Sequence, residues 1–126
     1  MKKALLGLGL VIAASTAANA ETPLERGTYL MNSIVACGNC HTPMGPNGPM
    51  MDKELSGGPT IEIEGMVAVP ANITPDPETG IGNWTDEEII LAIREGKRPD
   101  GTIIGPPMPI EQYRGMSDND AKAIVA

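Results

Sequence analysis

The stretch Cys37-Gly38-Asn39-Cys40-His41 decides how the rest of this chain must fold. Two thiols at i and i+3 lie on one side of a single helical turn. Both can therefore add across the two vinyl groups of one porphyrin. His41 follows at once, where its imidazole can turn toward the iron as the proximal ligand. This C-x-x-C-H arrangement is the pattern of covalent c-type haem attachment. Gly38 leaves the backbone between the thiols unencumbered.

Three other uses of paired cysteines fit less well. A thioredoxin-like redox pair opens a helix after a buried strand in a βαβ unit. Here Tyr29 to Ala36 reads as helix, and no βαβ pattern follows. A structural zinc site takes four ligands. The whole chain has two cysteines and one histidine, so the fourth would have to be a carboxylate. A disulfide across two intervening residues closes a very small loop and stabilises little.

The beginning of the chain reads as an export signal. Lys2 and Lys3 form a positive start, Ala4 to Ala14 an apolar run, and Ala18-Asn19-Ala20 a small-x-small cleavage site. The run is shorter than the roughly 20 residues of a membrane span; retention as an uncleaved anchor is the alternative. Residues 1–20 are thus expected to be a signal peptide and 21–126 a single mature domain, located in the periplasm. The mature part loses two lysines and no acids, so seven basic and sixteen acidic residues remain. Such a charge predicts a soluble protein that avoids nucleic acid and anionic lipid. It favours a partner with a basic docking patch and membrane contact only through a partner.

Composition points the same way as the motif. The chain has no Phe, one Trp and two Tyr, against 15 Gly and 12 Pro. So short and aromatic-poor a chain has difficulty building a core alone, and a buried porphyrin would supply the missing interior. The expected fold is mostly α: three to four short helices, with long loops wrapped around one covalent haem. Thr22-Pro23-Leu24-Glu25 reads as a capping box with proline at the first helical position. The helix it opens should run to the haem motif. Gly27 within it costs about 1 kcal/mol relative to Ala, explained either by a close helix crossing or by simple tolerance. Thr85-Asp86-Glu87-Glu88 caps a second helix, stopped by Gly96 and Pro99. Ser117-Asp118-Asn119-Asp120 opens a third, which should pack on the first. The chain stops in an apolar run, so this last helix is expected to be truncated. Residues 42–84 are rich in Gly and Pro and hold one expected hairpin, Ile61-Glu62-Ile63 and Val67-Ala68-Val69 around Gly65.

With no second histidine, the sixth iron ligand should be a methionine, a soft donor that raises the reduction potential. Met31 comes too early, and Met44, Met50 and Met51 follow His41 too closely to reach the other face. Met108, in Gly105-Pro106-Pro107-Met108-Pro109, is the leading candidate, because prolines on both sides fix an extended loop. Met116 is second and Met66 third. Trp84 is either a core or staple residue, or an indole at the haem edge with its N–H toward a propionate. Arg98 and Arg94 are candidate propionate partners, a solvated face being the alternative for both.

The motifs together resemble a class I cytochrome c domain: a capped first helix, C-x-x-C-H, a late Met-Pro and a final short helix. The segments Asn72-Ile73-Thr74-Pro75-Asp76, Gly80-Ile81-Gly82, Trp84-Thr85, Arg94-Glu95-Gly96, Pro99-Asp100-Gly101 and Pro107-Met108-Pro109 are similar to the cytochrome subunits of periplasmic alcohol, aldehyde and gluconate dehydrogenases. The resemblance covers essentially all of residues 22–126. It implies haem thioethers at Cys37 and Cys40, iron ligands at His41 and Met108, and haem-pocket roles near Asn72 and for Trp84. It also implies that the second ring nitrogen of His41 bonds a backbone carbonyl, often a proline's; several prolines in 43–59 could serve. Those subunits usually carry several such domains, and here there is one C-x-x-C-H. Their last helix also runs further and carries an aromatic that packs on helix one. The expected function is that of a periplasmic monohaem electron carrier, not an enzyme, working between a dehydrogenase or respiratory complex and an acceptor such as an oxidase. The alternative is a five-coordinate haem protein that binds a small gas or peroxide.

Overall fold

The computed structural model describes residues 20–126. The expected export signal, apart from Ala20, lies outside the described residues. The first helix, α1 (Pro23–Tyr29), opens on the expected capping box. The Thr22 hydroxyl accepts the Glu25 N–H at 3.3 Å, and the Glu25 carboxylate accepts the Thr22 N–H at 2.8 Å. The α-helix does not reach the haem motif. Leu30–Ile34 wind as a π-helix, and the Val35 N–H donates to the Leu30 carbonyl five residues back at 2.9 Å. Ala36 then takes a left-handed φ of 47°, which ends the helix and redirects the chain into the one-turn helix α2 (Gly38–His41).

The long Gly- and Pro-rich segment is more structured than its composition suggests. It holds a minimal ladder, β1 (Met44–Gly45) with β2 (Gly48–Pro49), and the expected hairpin, β3 (Ile61–Ile63) with β4 (Met66–Ala68). The hairpin register pairs Ile61 with Ala68 and Glu62 with Val67, and Gly65 turns it with φ 78°. Helix α3 (Asp86–Glu95) starts on the Thr85–Glu88 capping box and stops at Gly96 in the left-handed conformation, as expected from sequence. A one-turn helix α4 (Ile110–Tyr113) follows the Met-Pro segment. Helix α5 (Asp118–Val125) is capped by the Ser117 hydroxyl. The architecture is mostly α.

The packing is led by α1 against α5, with α3 against α4 and α5. The α1–α5 crossing is so close that a Cβ on Gly27 would sit 1.9 Å from the Ala123 carbonyl oxygen. Gly27 is therefore required by the crossing, and simple tolerance does not account for it. Ala121 and Ala123 are buried on the α5 side. Arg26 Nε donates to Asp120 Oδ1 across the same crossing at 2.8 Å, and that bond holds the Asp120 carboxyl below its ordinary range. Arg94 pairs with Asp118 at 2.6 Å and ties α3 to the start of α5. Both ion pairs are partly exposed and add only modestly to stability.

Replacing an ordinary helical Gly by Ala stabilises by about 1 kcal/mol. Gly27→Ala should do the opposite and lower stability by about 1–3 kcal/mol, the usual range for overpacking. A thermal melt of the variant beside Gly105→Ala, whose Cβ meets nothing within 4 Å, checks this; only the Gly27 change should lower the midpoint.

Candidate haem site

The C-x-x-C-H segment is one hydrogen-bonded turn. His41 N–H donates to the Cys37 carbonyl at 3.0 Å, and Thr42 N–H to the Gly38 carbonyl at 3.2 Å. This turn carries Cys37, Cys40 and His41 together. Both thiols are unjoined. Cys37 is half-buried, and burial pushes its thiol up. Among the described residues no three His, Cys, Asp or Glu side chains gather into a metal-holding group, so the zinc reading gains no ligand set. Among the described residues the sheets are two separate two-stranded antiparallel ladders, and no βαβ unit is formed there.

His41 is fixed from behind. Its Nδ1 lies 2.7 Å from the Ala71 carbonyl oxygen. A carbonyl only accepts, so Nδ1 carries the proton and Nε2 keeps a free lone pair. The acceptor is therefore Ala71, not a proline within 43–59. It sits directly after Pro70 and thirty residues beyond the histidine.

What brings Ala71 there is a strap of backbone, residues 55–58. Gly57 N–H donates to the His41 carbonyl at 2.9 Å, and Gly58 N–H to the Pro70 carbonyl at 3.1 Å. Leu55 N–H donates to the Thr42 hydroxyl at 3.2 Å, and the Leu55 carbonyl accepts from Ile73 N–H at 2.9 Å. Thr42 is buried, and its hydroxyl is the polar anchor of this layer. The strap passes so near the motif that a Cβ on Gly58 would lie 1.6 Å from the Cys40 carbonyl oxygen. Gly57 has φ 111°, which a side chain would strain.

The loop that follows is rigid for the same reasons. Asn72 Oδ1 accepts from the Thr74 N–H and hydroxyl, and Asn72 Nδ2 donates to the Thr79 hydroxyl at 2.8 Å. Asn72 thus works inside its own loop, next to the carbonyl that holds His41. Asp76 accepts the Glu78 and Thr79 N–H groups, which holds its carboxyl below the ordinary range. Trp84 is half-buried just before the α3 cap. The guanidinium of Arg94 is engaged by Asp118, and that of Arg98 donates to the Thr102 hydroxyl at 3.1 Å.

Met108 is half-buried, and its carbonyl accepts the Ile110 N–H at 2.9 Å as α4 begins. At the end of α4 the Tyr113 hydroxyl donates to the Val35 carbonyl at 3.0 Å. Burial pushes the Tyr113 phenol up, and the charges of Cys37 and Cys40 push it the same way. The segment bearing Met108 is thereby latched onto the residues that enter the haem motif. Sequence reasoning did not single out Tyr113, Gly57, Gly58, Thr42 or Ala71. The adjacent glycines were the one visible signal.

These residues suit a covalent haem. Two unjoined thiols and a histidine with a free Nε2 lie on one turn. The chain's own core is thin: among the described residues the buried apolar side chains are Leu30, Ala92, Ala121 and Ala123. Ile34 and Ile103 stay 64% and 66% exposed. A large flat apolar group has side chains to lie against that the protein leaves uncovered.

No family model matches the chain. Individual proteins do. The alcohol dehydrogenase (quinone) cytochrome c subunit of Gluconobacter oxydans (strain 621H) is 34% identical over 98% of this chain and 25% of its own length. The fructose dehydrogenase cytochrome subunit of Gluconobacter japonicus is 39% identical over 88% of this chain and 22% of its own. The gluconate 2-dehydrogenase cytochrome c subunit of Pantoea cypripedii is 32% identical over 82% of this chain and 22% of its own. The chain is a c-type cytochrome domain. In particular, it is a homologue of the cytochrome c subunits of alcohol, fructose and gluconate dehydrogenases, and it spans about a quarter of the length of those relatives.

The strap gives a direct test. Gly58→Ala should displace residues 55–58 from Cys40 and lower stability by about 1–3 kcal/mol, with a several-fold fall in folded yield. Expression and thermal melting beside Gly105→Ala check this. A Gly58→Ala protein that melts with the wild type would separate the strap from the stability of the motif.

Proposed function

We propose that this protein is an exported monohaem c-type cytochrome that carries one electron at a time for a periplasmic dehydrogenase or respiratory complex, and is not itself an enzyme. The observation that carries the reading is the His41–Ala71 hydrogen bond on the turn that also bears Cys37 and Cys40. Haem c, when bound, would supply an iron that exchanges single electrons. Cys37 and Cys40 would hold the macrocycle by thioethers. His41 offers the Nε2 lone pair, and its Nδ1–H bond to Ala71 fixes the ring plane and raises its basicity. Met108 is the sixth ligand in this reading. One C-x-x-C-H predicts one haem. Trp84 packs at the haem edge, Asn72 orders the pocket loop, and Arg98 is the propionate partner, reaching it by releasing Thr102. The acidic charge suits a partner with a basic docking patch, and the first twenty residues suit export.

Met108→Ala should leave haem attached, lower the reduction potential and open the iron to carbon monoxide. The check is a visible spectrum of haem-matured wild type and variant, with denaturing extraction and potentiometry. The wild type should show the weak long-wavelength sulfur-to-iron band when oxidised, and the variant should lose it. An unchanged potential would move the ligand to Met66 or Met116. Attached haem without that band in the wild type would favour the gas- or peroxide-binding reading, and no attached haem would remove both.

A further inference from the structure

We propose that the outward face of the β3–β4 hairpin, extended by Val69, is the surface on which a one-electron partner docks, and that this partner brings lysines or arginines around a small apolar contact. The proposal rests on the electron-carrier reading above.

Three observations converge on this face. The first is the side-chain alternation. Glu62 stands opposite Val67 in the hairpin register, and Val69 lies two residues beyond Val67 on the same strand direction. With a period of two, Glu62, Val67 and Val69 share one face. The other face carries Ile61, Met66 and Ala68, which are half-buried, and Ile63, which is 50% exposed beside the turn. A one-sided hairpin should be polar on its solvent face. Here that face presents Val67 at 69% exposure and Val69 at 70%.

The second is charge. Residues 54–93 contain eight acidic residues and no Lys or Arg, whereas residues 94–126 contain five of each sign. The acidity of the mature chain is therefore concentrated in the stretch that includes the hairpin. Glu62 and Glu64 flank the valines, and neither forms an ion pair among the described residues. An apolar centre with an acidic rim is complementary to a basic-rimmed apolar patch. It repels a second copy of itself and an anionic lipid surface alike.

The third is position. Val69 is followed by Pro70 and Ala71, and the Ala71 carbonyl accepts the His41 Nδ1–H. A partner seated on Val69 is thus two peptide units and one hydrogen bond from the residue assigned to the iron. The patch is small, as suits the limited interfaces of transient redox encounters. One electron leaves one partner and enters the other across this contact, and no bond forms or breaks.

The test uses the haem-loaded protein in its ferric form. The probe is the zinc-porphyrin form of basic mitochondrial cytochrome c, whose excited triplet state donates one electron to a docked ferric partner. The rate is read by flash photolysis. Glu62→Lys with Glu64→Lys should slow quenching about tenfold at low ionic strength, and the gap should close at high salt, as for steered association. Val67→Ser with Val69→Ser should slow it at both. Glu111→Lys with Asn119→Lys, outside the acidic stretch, should leave it within about twofold of wild type if steering is local. Equal slowing by that control pair, or hairpin variants that quench like wild type with haem attached, would overturn the docking face and leave the carrier reading standing. A wild type without haem after denaturing extraction would overturn the carrier reading and the docking face with it.

Discussion

The hydrogen bond from His41 Nδ1–H to the Ala71 carbonyl is the constraint around which the described structure is arranged. It fixes the tautomer of the only histidine in the chain. It also requires a backbone oxygen thirty residues away to arrive within hydrogen-bonding distance. The chain meets that requirement mainly with backbone. The 55–58 strap lies between the motif and residues 70–73 and bonds to both sides. A Cβ at Gly58 would strike the Cys40 carbonyl and Gly57 holds φ 111°, which is why the strap passes through these two glycines. The buried Thr42 hydroxyl accepts the one strap N–H that would otherwise meet no backbone partner in this layer.

The same economy governs the helices. At the α1–α5 crossing the contact residues are small, and the two backbones come together. Gly27 against Ala123, with Ala121 and Leu30 buried alongside, forms a crossing of small residues. Close crossings of this kind give many dispersion contacts per residue, but they leave little interior volume filled. The apolar side chains left exposed are the complement of that choice.

Much of this was legible in the residues, because caps and covalent motifs are local chemistry. Thr22, Thr85 and Ser117 accept the N–H groups their spacing predicted. Gly96 ends α3 in the left-handed conformation, and Gly65 turns the one hairpin anticipated. What was not legible depends on two distant segments meeting. Ala71 has no distinguishing side chain, since it contributes only its carbonyl. Tyr113 reads as an ordinary residue of a short helix until its hydroxyl is seen on Val35, seventy-eight positions earlier. The π-helical stretch at Leu30–Ile34 has no sequence signature in propensity or capping. Arg94 and Arg98 looked free because charge patterns do not show which acid or hydroxyl lies within reach.

Ala36 and Leu55, the non-glycine residues with positive φ among those described, both border the motif. Each costs about 1–2 kcal/mol in the left-handed region, and each stands where the chain must change direction sharply. Ala36 turns the π-helix into the Cys37 turn. Leu55 turns the strap so that its N–H meets Thr42 and its carbonyl meets Ile73. Strain at two such points persists only where the surroundings over-determine the backbone. Here the surroundings are the latch from Tyr113 to Val35 on one side and the Gly57–Gly58 strap on the other. The haem motif is thus held at both ends by contacts made elsewhere in the chain. If that turn carries an iron ligand as proposed, it would have little freedom to rearrange when charge changes at its centre, and low rearrangement is what an electron carrier needs.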